Sequence, residues 1–217
     1  MSEKIKSLIK TRKINIGLVG CGRISEKHLN AIRSYPDDLR LVAVCDIDSE
    51  VLNKVVLKSE VTKYTDYSAF IKHIGLDIIV IATPSGLHAS QTIEAASYGK
   101  HVVTEKPMAT SWKDGIRMVK ACDDANVKLF VVKQNRYNNT IQLLKRAINE
   151  KRFGRIYMVN INVFWTRPQE YYDSADWRGT WSLDGGAFMN QASHYVDLLD
   201  WLIGPVDKVH AITGTLG

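Results

Sequence analysis

One lysine of this sequence stands between a predicted buried strand and a proline. Residues 102–104 (Val-Val-Thr) form a short β-branched run that leads directly into Glu105-Lys106-Pro107. Such a run is typical of a buried parallel strand, and open α/β sheets bind ligands beyond the carboxyl ends of their strands. An ammonium at that edge, with its pKa lowered by its surroundings, could exchange a proton with a bound hydroxyl group. The alternative is an ordinary exposed lysine. We expect a cis peptide bond before Pro107.

Three polar residues in the last quarter of the chain have the spacing of one helix face. Asn190, His194 and Asp197 follow one another at i, i+4 and i+7, so a helix places them together. A histidine with an amide one turn before it and a carboxylate one turn after it suits an oriented acid–base group. The alternative is a structural histidine. With no further His or Cys nearby, the set lacks the ligands of a metal site, and we predict no bound metal.

A glycine pattern in the first part of the chain predicts a nucleotide-binding turn. Gly20-x-Gly22-x-x-Ser25 follows an apolar strand and opens a helix, so Gly20 permits the turn and Gly22 lets the backbone approach a pyrophosphate. Asp46 ends the next predicted strand and could accept hydrogen bonds from the adenosine ribose. Its charge would repel a 2′-phosphate, which favours NAD over NADP, although Arg23 argues in the other direction. The alternative is a glycine turn that binds nothing.

The end of the fourth predicted strand lies at the same edge of the sheet. Thr83 and Pro84 follow this strand, and His88 starts the next helix. The backbone of this segment could therefore line the cofactor. His88 has an alternative role as a cap of its helix.

These residues require elements that bring them to one sheet edge. From residue 14 to residue 134, strands and helices alternate, which predicts an α/β fold with an N-terminal doubly wound Rossmann domain at residues 1–135. The pattern then changes to a helix at 140–151, an alternating strand at 156–164, an aromatic loop at 167–184, a helix at 187–202 and a strand at 206–216. We expect residues 136–217 to form an α+β sheet domain for substrate binding and oligomerisation. Because so little sheet cannot cover its helices, we expect this domain to be incomplete.

Composition narrows the class of protein. The 217 residues are 45% hydrophobic and 24% charged, as in a soluble globular protein. The net charge of +6 favours an anionic partner, and the scattered basic residues suit a small anion better than a nucleic acid. Cys21, Cys45 and Cys122 have no disulfide or metal spacing, which indicates a reducing compartment. Residues 1–13 do not have the pattern of a secretory signal, and the apolar runs are too short to span a membrane. We therefore expect a cytoplasmic protein.

Taken together, these segments resemble the Gfo/Idh/MocA family of nicotinamide-dependent sugar oxidoreductases. The resemblance rests on the Gly20/Gly22 turn, Thr83-Pro84 with His88, Glu105-Lys106-Pro107, and Gly185-Gly186 followed by Asn190 and His194. The segments 131–138, 164–172 and 176–181 are similar to one subgroup, the UDP-N-acetylglucosaminuronate 3-dehydrogenases of bacterial surface-polysaccharide pathways. Many family members carry Asp at the position of Asn190, so this sequence departs from the family pattern there.

The resemblance implies roles for individual residues. In the family, the residues that correspond to Lys106 and His194 flank the substrate carbon beside the nicotinamide, and we include Asn190 as the third catalytic residue. The family further implies NAD as the cofactor and a homo-oligomer, either a dimer or a tetramer. The predicted cofactor-binding residues are Gly20, Gly22, Arg23, Ile24, Asp46, Thr83, Pro84, Leu87, His88, Glu105, Gln134, Trp177 and Arg178. The predicted substrate-binding residues are Lys106, Arg136, Tyr137, Arg167, Tyr172, Asn190 and His194.

Three functions are compatible with this pattern. The first is the NAD-dependent oxidation of the 3-hydroxyl of a UDP-linked N-acetylglucosaminuronic acid to the 3-keto sugar, in O-antigen biosynthesis. The second is a dehydrogenase of a free polyol such as an inositol, and the third is a non-catalytic NAD-binding regulator on the same fold. Arg167 and Arg178 discriminate the first two, because an anionic substrate suits the arginine fork and a neutral one needs no arginine pair. A regulator would bind the cofactor without turnover.

Overall fold

A computed structural model describes residues 11–57 and 60–214 of the chain. Its first part is a six-stranded parallel sheet with helices on both faces, which confirms the predicted doubly wound fold. Residues 1–10, which carry most of the segment tested for a signal peptide, lie outside the described residues. The strands are β1 (Ile14–Val19), β2 (Leu39–Cys45), β3 (Thr62–Tyr64), β4 (Ile78–Ile81), β5 (His101–Thr104) and β6 (Leu129–Val131), in the spatial order β3-β2-β1-β4-β5-β6.

Several helices begin at a side chain that accepts a hydrogen bond from their first amides. Asp48, Asp66 and Ser111 act in this way, as is usual for N-cap residues. The helices are α1 (Ser25–Arg33), α2 (Ser49–Lys54), α3 (Tyr67–Phe70), α4 (His88–Ser97), α5 (Trp112–Asp124), α6 (Asn139–Asn149), α7 (Gln169–Asp173) and α8 (Ser193–Ile203).

The sheet is buried on both faces, which explains why its central strands are apolar along their length. On one face, Leu18 belongs to a buried cluster with Leu29 of α1 and Leu52 of α2. On the other face, Ile79 belongs to a second cluster with Phe70 of α3. Packing from two sides fixes the carboxyl ends of the strands. The strand order reverses between β1 and β4, and ligands of open α/β sheets bind at such a reversal.

After residue 138, the regular elements of the described residues are all helices. The predicted helix at 187–202 is formed by a π-helical turn (Phe188–Ala192) followed by α8. The predicted strands at 156–164 and 206–216 are wrong for the part that the structure describes, because residues 156–168 and 204–214 contain no strand; residues 215 and 216 lie outside it.

The reason is that alternation describes side chains, whereas a strand also needs a hydrogen-bonded neighbour. Within the two described ranges, the sheet contains only β1 to β6, so neither segment has such a neighbour. Tyr157 and Met158, which an extended chain directs to opposite faces, are both 84% exposed. Neither face of this segment is covered.

Candidate active site

The turn after β1 leaves open space in front of α1. Gly20 has φ +87°, and a Cβ on it would lie 2.5 Å from the Ala82 carbonyl oxygen, so glycine is required there. A Cβ on Gly22 would meet nothing within 4 Å. Because no side chain caps the N-terminus of α1, this space and the first helical amides fit the pyrophosphate of a dinucleotide. Arg23 and Ile24 are exposed at the same turn.

Asp46 supports this turn from the end of the neighbouring strand. Its carboxylate accepts hydrogen bonds from the Cys21 amide at 2.7 Å and the Asp48 amide at 3.0 Å. It stays partly exposed, as a carboxylate that binds a ribose must be. Ser25, at the third position of the glycine pattern, donates its hydroxyl to the Gly22 carbonyl at 2.6 Å. The serine therefore closes the turn from within, a contact that the sequence did not indicate.

His88 joins two loops at the sheet edge and does not cap α4. It is 1% exposed, and its ring nitrogens lie 2.8 Å from the Pro107 carbonyl oxygen and 2.9 Å from the Thr83 carbonyl oxygen. Burial lowers the pKa of His88. The Lys106–Pro107 peptide bond is cis, as predicted. The predicted cofactor residues that remain accessible in this loop are Thr83, Pro84 and Leu87.

Glu105 anchors the start of the lysine loop. Its carboxylate is buried, with one oxygen 2.9 Å from Nε2 of His28 and the other accepting the Lys106 amide at 3.1 Å. Burial alone would raise the pKa of Glu105, but the hydrogen bond and charge of His28, together with the Lys106 amide, lower it. Because His28 lies on α1, the glycine turn and the lysine loop are linked. His28 was not among the predicted site residues.

The ammonium of Lys106 reaches from the sheet edge to the π-helical turn. Its Nζ donates to the backbone oxygen of Asn190 at 2.8 Å and to the Oδ1 of the same residue at 3.2 Å. Burial lowers the pKa of Lys106. The surrounding charges oppose each other: Lys133 and Arg167 lower this pKa, whereas Glu105 and Asp184 raise it.

His194 belongs to the same group of charges. It is partly buried near the start of α8. Burial lowers its pKa, and the positive charges of Lys106 and Lys133 act in the same direction. A histidine with a lowered pKa is neutral near pH 7 and can accept a proton. The structure therefore brings together the three predicted catalytic residues, Lys106, Asn190 and His194.

Asp197 does not orient His194, which corrects the interpretation based on helix spacing. Its carboxylate accepts two hydrogen bonds from Arg136, at 2.8 Å and 2.6 Å, and lies 3.5 Å from Lys133 Nζ. The bidentate fork of an arginine is a stronger partner for a carboxylate than a neutral imidazole. Arg136, predicted to bind substrate, is therefore occupied by an internal ion pair and also stacks on Trp201.

Two arginines of the predicted loop surround one tyrosine ring. The guanidinium carbons of Arg167 and Arg178 lie 4.7 Å and 4.3 Å from the ring centre of Tyr171. Arg167 also stacks on Trp165, and Arg178 on Trp177. We call these five residues the arginine–aromatic cluster. In the part of the chain that the structure describes, neither arginine forms an ion pair, and the Nε atom of each is buried without a hydrogen-bond partner.

The cluster contains residues that the sequence predicts for two different ligands, the cofactor and the substrate. Trp177 and Arg178, predicted for the cofactor, pack with Arg167, predicted for the substrate. Tyr172 lies beside them, with its ring edge-to-face against Tyr171 at 5.2 Å. Gln134 and Tyr137 are exposed in the short 3-10 helix after β6.

Asp184 is the main site residue that the sequence analysis missed. It is 4% exposed, and its carboxylate accepts hydrogen bonds from the Asn190 side-chain amide and from the Gly179 amide. The available signal was its place directly before Gly185-Gly186, which have φ of +78° and +77°. These glycines turn the chain so that Asp184 faces the π-helical turn.

Two features are absent from residues 11–57 and 60–214. No group of three or more His, Cys, Asp and Glu side chains there could hold a metal ion. No helix in the same ranges is both long and apolar enough to cross a membrane. Cys21, Cys45 and Cys122 are all free and buried.

The fold and site define an NAD-binding oxidoreductase of the Rossmann class. Residues 14–133 match the oxidoreductase family with an NAD-binding Rossmann fold, and residues 141–217 match the GFO/IDH/MocA C-terminal domain. The chain therefore belongs to the Gfo/Idh/MocA family, which confirms the resemblance given by its motifs. NAD is the cofactor of this Rossmann domain, also as predicted.

Two solved structures are similar to almost the whole chain. One is the WlbA dehydrogenase from Bordetella pertussis in complex with NADH and UDP-GlcNAcA, which is 60% identical with a TM-score of 0.92 over 96% of this chain and 60% of that protein. The other is the WlbA dehydrogenase from Chromobacterium violaceum, also in complex with NADH and UDP-GlcNAcA, with 60% identity and a TM-score of 0.92 over 96% of this chain and 61% of that protein.

A more distant relative acts on another sugar. Levoglucosan dehydrogenase from Pseudarthrobacter phenanthrenivorans is 27% identical over 94% of this chain and 55% of its own length. The chain thus spans little more than half of this curated relative.

Proposed function

We propose that the protein oxidises the 3-hydroxyl of UDP-N-acetylglucosaminuronate to a ketone, with NAD as the oxidant. The observation that carries the proposal is the position of Lys106. Lys106 follows β5 at the carboxyl edge of the NAD-binding sheet, and its ammonium donates hydrogen bonds to Asn190. It also lies close enough to Arg167 for the positive charge of that arginine to lower the pKa of Lys106. Similarity to two proteins that were crystallised with NADH and UDP-GlcNAcA supports the same substrate.

The side chains around Lys106 divide the proton chemistry between them. When bound, NAD supplies the acceptor for the hydride that leaves the carbinol carbon. His194 takes the hydroxyl proton, because its lowered pKa keeps the imidazole neutral near pH 7. The ammonium of Lys106 donates a hydrogen bond to the same hydroxyl oxygen and stabilises the negative charge that develops there. Asn190 fixes the position of this ammonium.

The arginine–aromatic cluster supplies the selectivity for an anionic substrate. Arg167 and Arg178 form no ion pair within the described residues, so both charges are available to a ligand. Stacking on Tyr171 holds the two guanidinium groups in place, and guanidinium forks match carboxylate and phosphate geometry. A UDP-linked uronic acid carries both kinds of anion.

We also propose where the domains divide, how the protein assembles and where it acts. We place the border between the Rossmann domain (1–135) and the substrate domain (136–217) at the 3-10 helix after β6. We further propose a homo-oligomer, dimeric or tetrameric, that acts in the cytoplasm in O-antigen biosynthesis and binds neither nucleic acid nor membranes. The three buried free thiols support a reducing compartment.

A substrate panel tests the proposal. We expect NADH absorbance to rise with UDP-N-acetylglucosaminuronate, to rise far less with UDP-N-acetylglucosamine, which lacks the carboxylate, and not to rise with myo-inositol. Equal rates with inositol would favour a polyol dehydrogenase. Tight NAD binding, measured by calorimetry, without reduction of any of the three compounds would favour a regulator and contradict the proposal. A single burst of NADH that needs a keto acid to continue would support the substrate and reveal cofactor recycling in place.

A further inference from the structure

Asp184 is a buried carboxylate that the proposed reaction does not use. It has no direct lysine or arginine partner among residues 11–57 and 60–214, although it is only 4% exposed. Removing a carboxylate from water is unfavourable unless hydrogen bonds or a nearby opposite charge compensate. One compensating contact is the Gly179 amide, at 2.8 Å from Oδ2. The other is the side-chain amide of Asn190.

The contact with Asn190 fixes which way that amide faces. Its NH2 group donates to Asp184, so its Oδ1 is left to accept the Lys106 ammonium at 3.2 Å. The flipped amide would direct NH2 at the ammonium and oxygen at the carboxylate, and both arrangements would place like partners together. The carboxylate therefore determines the acceptor that Lys106 meets.

We propose that Asp184 is a positioning residue that acts on Lys106 through the amide of Asn190. This inference rests on the function proposed above for Lys106. In the family that this motif resembles, Asp is common at the position of Asn190. In this chain the carboxylate belongs to Asp184, which reaches the ammonium only through the side chain of Asn190. Asp184 holds the ammonium toward the substrate position and favours its charged form, while Asn190 stands between the two charges.

The electrostatic environment of Lys106 is consistent with this role. Asp184 and Glu105 raise the pKa of Lys106 against the larger effect of burial, and Lys133 and Arg167 lower it. Burial lowers the pKa of His88 and of His194, which also lie near the ammonium. Glu105 lies within hydrogen-bond distance of His28 and accepts the backbone amide of Lys106, whereas Asp184 is connected to Nζ through the side chain of Asn190.

The test is a titration of Lys106 itself, which needs no substrate. Lysines of the whole protein are reductively methylated with ¹³C, and the Lys106 signal is assigned by its loss in Lys106→Arg. In Asp184→Asn we expect this signal to titrate at lower pH, by about one unit, the low end of the effect of a nearby opposite charge. Asp66→Asn is the matched control, because Asp66 also accepts a backbone amide and lies outside the site. We expect no shift there.

Two variants separate positioning from loop stability. Asp184→Ser keeps an acceptor for the Gly179 amide and removes the charge, so it repeats the titration if Asp184→Asn is insoluble. The double variant Asp184→Asn/Asn190→Asp moves the carboxylate next to Lys106 and should return the titration toward higher pH. A folded Asp184→Asn or Asp184→Ser protein with an unshifted Lys106 signal would overturn the proposal.

The kinetic readout distinguishes this inference from the proposed function. We expect kcat to fall about tenfold or more in Asp184→Asn, with KM for NAD unchanged, because misplaced catalytic groups slow the chemical step. If the titration shifts but no substrate of the panel is oxidised, the positioning role holds and the proposed reaction is wrong. If the substrate is oxidised and neither kcat nor the titration changes, the reaction holds and the positioning role is wrong.

Discussion

The sheet edge and the arginine–aromatic cluster are the two parts of the proposed site, and they are held by different forces. At the sheet edge, Gly20, Asp46 and Lys106 follow strands whose backbones are paired on both sides and buried. In the cluster, Arg167 and Arg178 follow segments without strand pairing, and their positions depend on contacts between side chains. Changes to the backbone turns at the sheet edge should therefore affect folding or cofactor binding, whereas changes in the cluster should affect substrate binding.

The largest effect is expected at Gly20. Gly20→Ala places a Cβ at φ +87° and 2.5 Å from the Ala82 carbonyl oxygen, which should lower the free energy of unfolding by about 3 kcal/mol or more. Urea denaturation measures this loss. Gly22→Ala is the matched control, since its Cβ meets nothing within 4 Å; it should keep the stability and lose NAD affinity. Equal destabilisation of the two variants would contradict the geometry of the turn.

The second effect concerns the proton acceptor. His194→Ala should lower kcat by about 10²- to 10⁴-fold, the usual contribution of an acid–base group, while the Kd for NAD changes little. In the unaltered protein, kcat should fall as pH drops through the lowered pKa of His194, because protonation removes the acceptor. His210→Ala serves as a control, because His210 lies in the segment 204–214, which has no regular secondary structure. If kcat does not fall at low pH, a group other than His194 accepts the hydroxyl proton.

The third effect should be confined to substrate binding. Removing either guanidinium, in Arg167→Ala or Arg178→Ala, should raise KM for the UDP sugar about tenfold or more, the scale of one charge-assisted hydrogen bond. The unfolding midpoint should move little. Arg155→Ala is the control, because Arg155 also stacks on an aromatic ring, that of Tyr157, outside the cluster. Unchanged KM in both cluster variants would mean that the substrate is neutral.

The smallest effect is expected for the ion pair that occupies Arg136. Burial would raise the pKa of Asp197, but its bonds to Arg136 and the charge of Lys133 lower it. The pair therefore stabilises the fold at pH values above the unfolded pKa near 3.8, and this contribution is lost as pH falls through the lower folded pKa. Asp197→Asn should cost about 1 kcal/mol at pH 7, because Arg136 is partly exposed. If Asp197→Asn still lowers the free energy of unfolding at pH values below the folded pKa of Asp197, the loss comes from packing and not from the ion pair.

The sequence predicts the sheet edge better than it predicts the contacts between side chains. Gly20, Asp46, Thr83 and Lys106 could be placed together because parallel strands share one carboxyl edge. The partners of side chains could not be placed in the same way. Helix spacing puts Asp197 near His194, yet Arg136 binds it from sixty-one residues away in sequence. The pair Gly185-Gly186 marks a turn directly after Asp184 but does not indicate that Asp184 contacts Asn190.

The strands predicted in the second half show the same limit. Alternation at 156–164 is a property of the segment itself, but pairing depends on a second segment, and the described residues supply none. Ser25 is a smaller example: the glycine pattern marks it only as a departure, whereas its hydroxyl bonds the Gly22 carbonyl. Site residues can be predicted from the sequence where the backbone of a strand or turn positions them. They are harder to predict where their position depends on contacts between side chains.

The most direct test of the central claim is the oxidation of UDP-N-acetylglucosaminuronate by Lys106→Met, followed by NADH absorbance. Methionine keeps most of the side-chain volume and removes the ammonium that bonds Asn190. Lys120→Met, on the exposed face of α5, is the control. We predict a loss of about 10²-fold or more in kcat, with NAD still bound and the fold intact. A Lys106→Met protein that oxidises the sugar at the rate of the control would contradict the account.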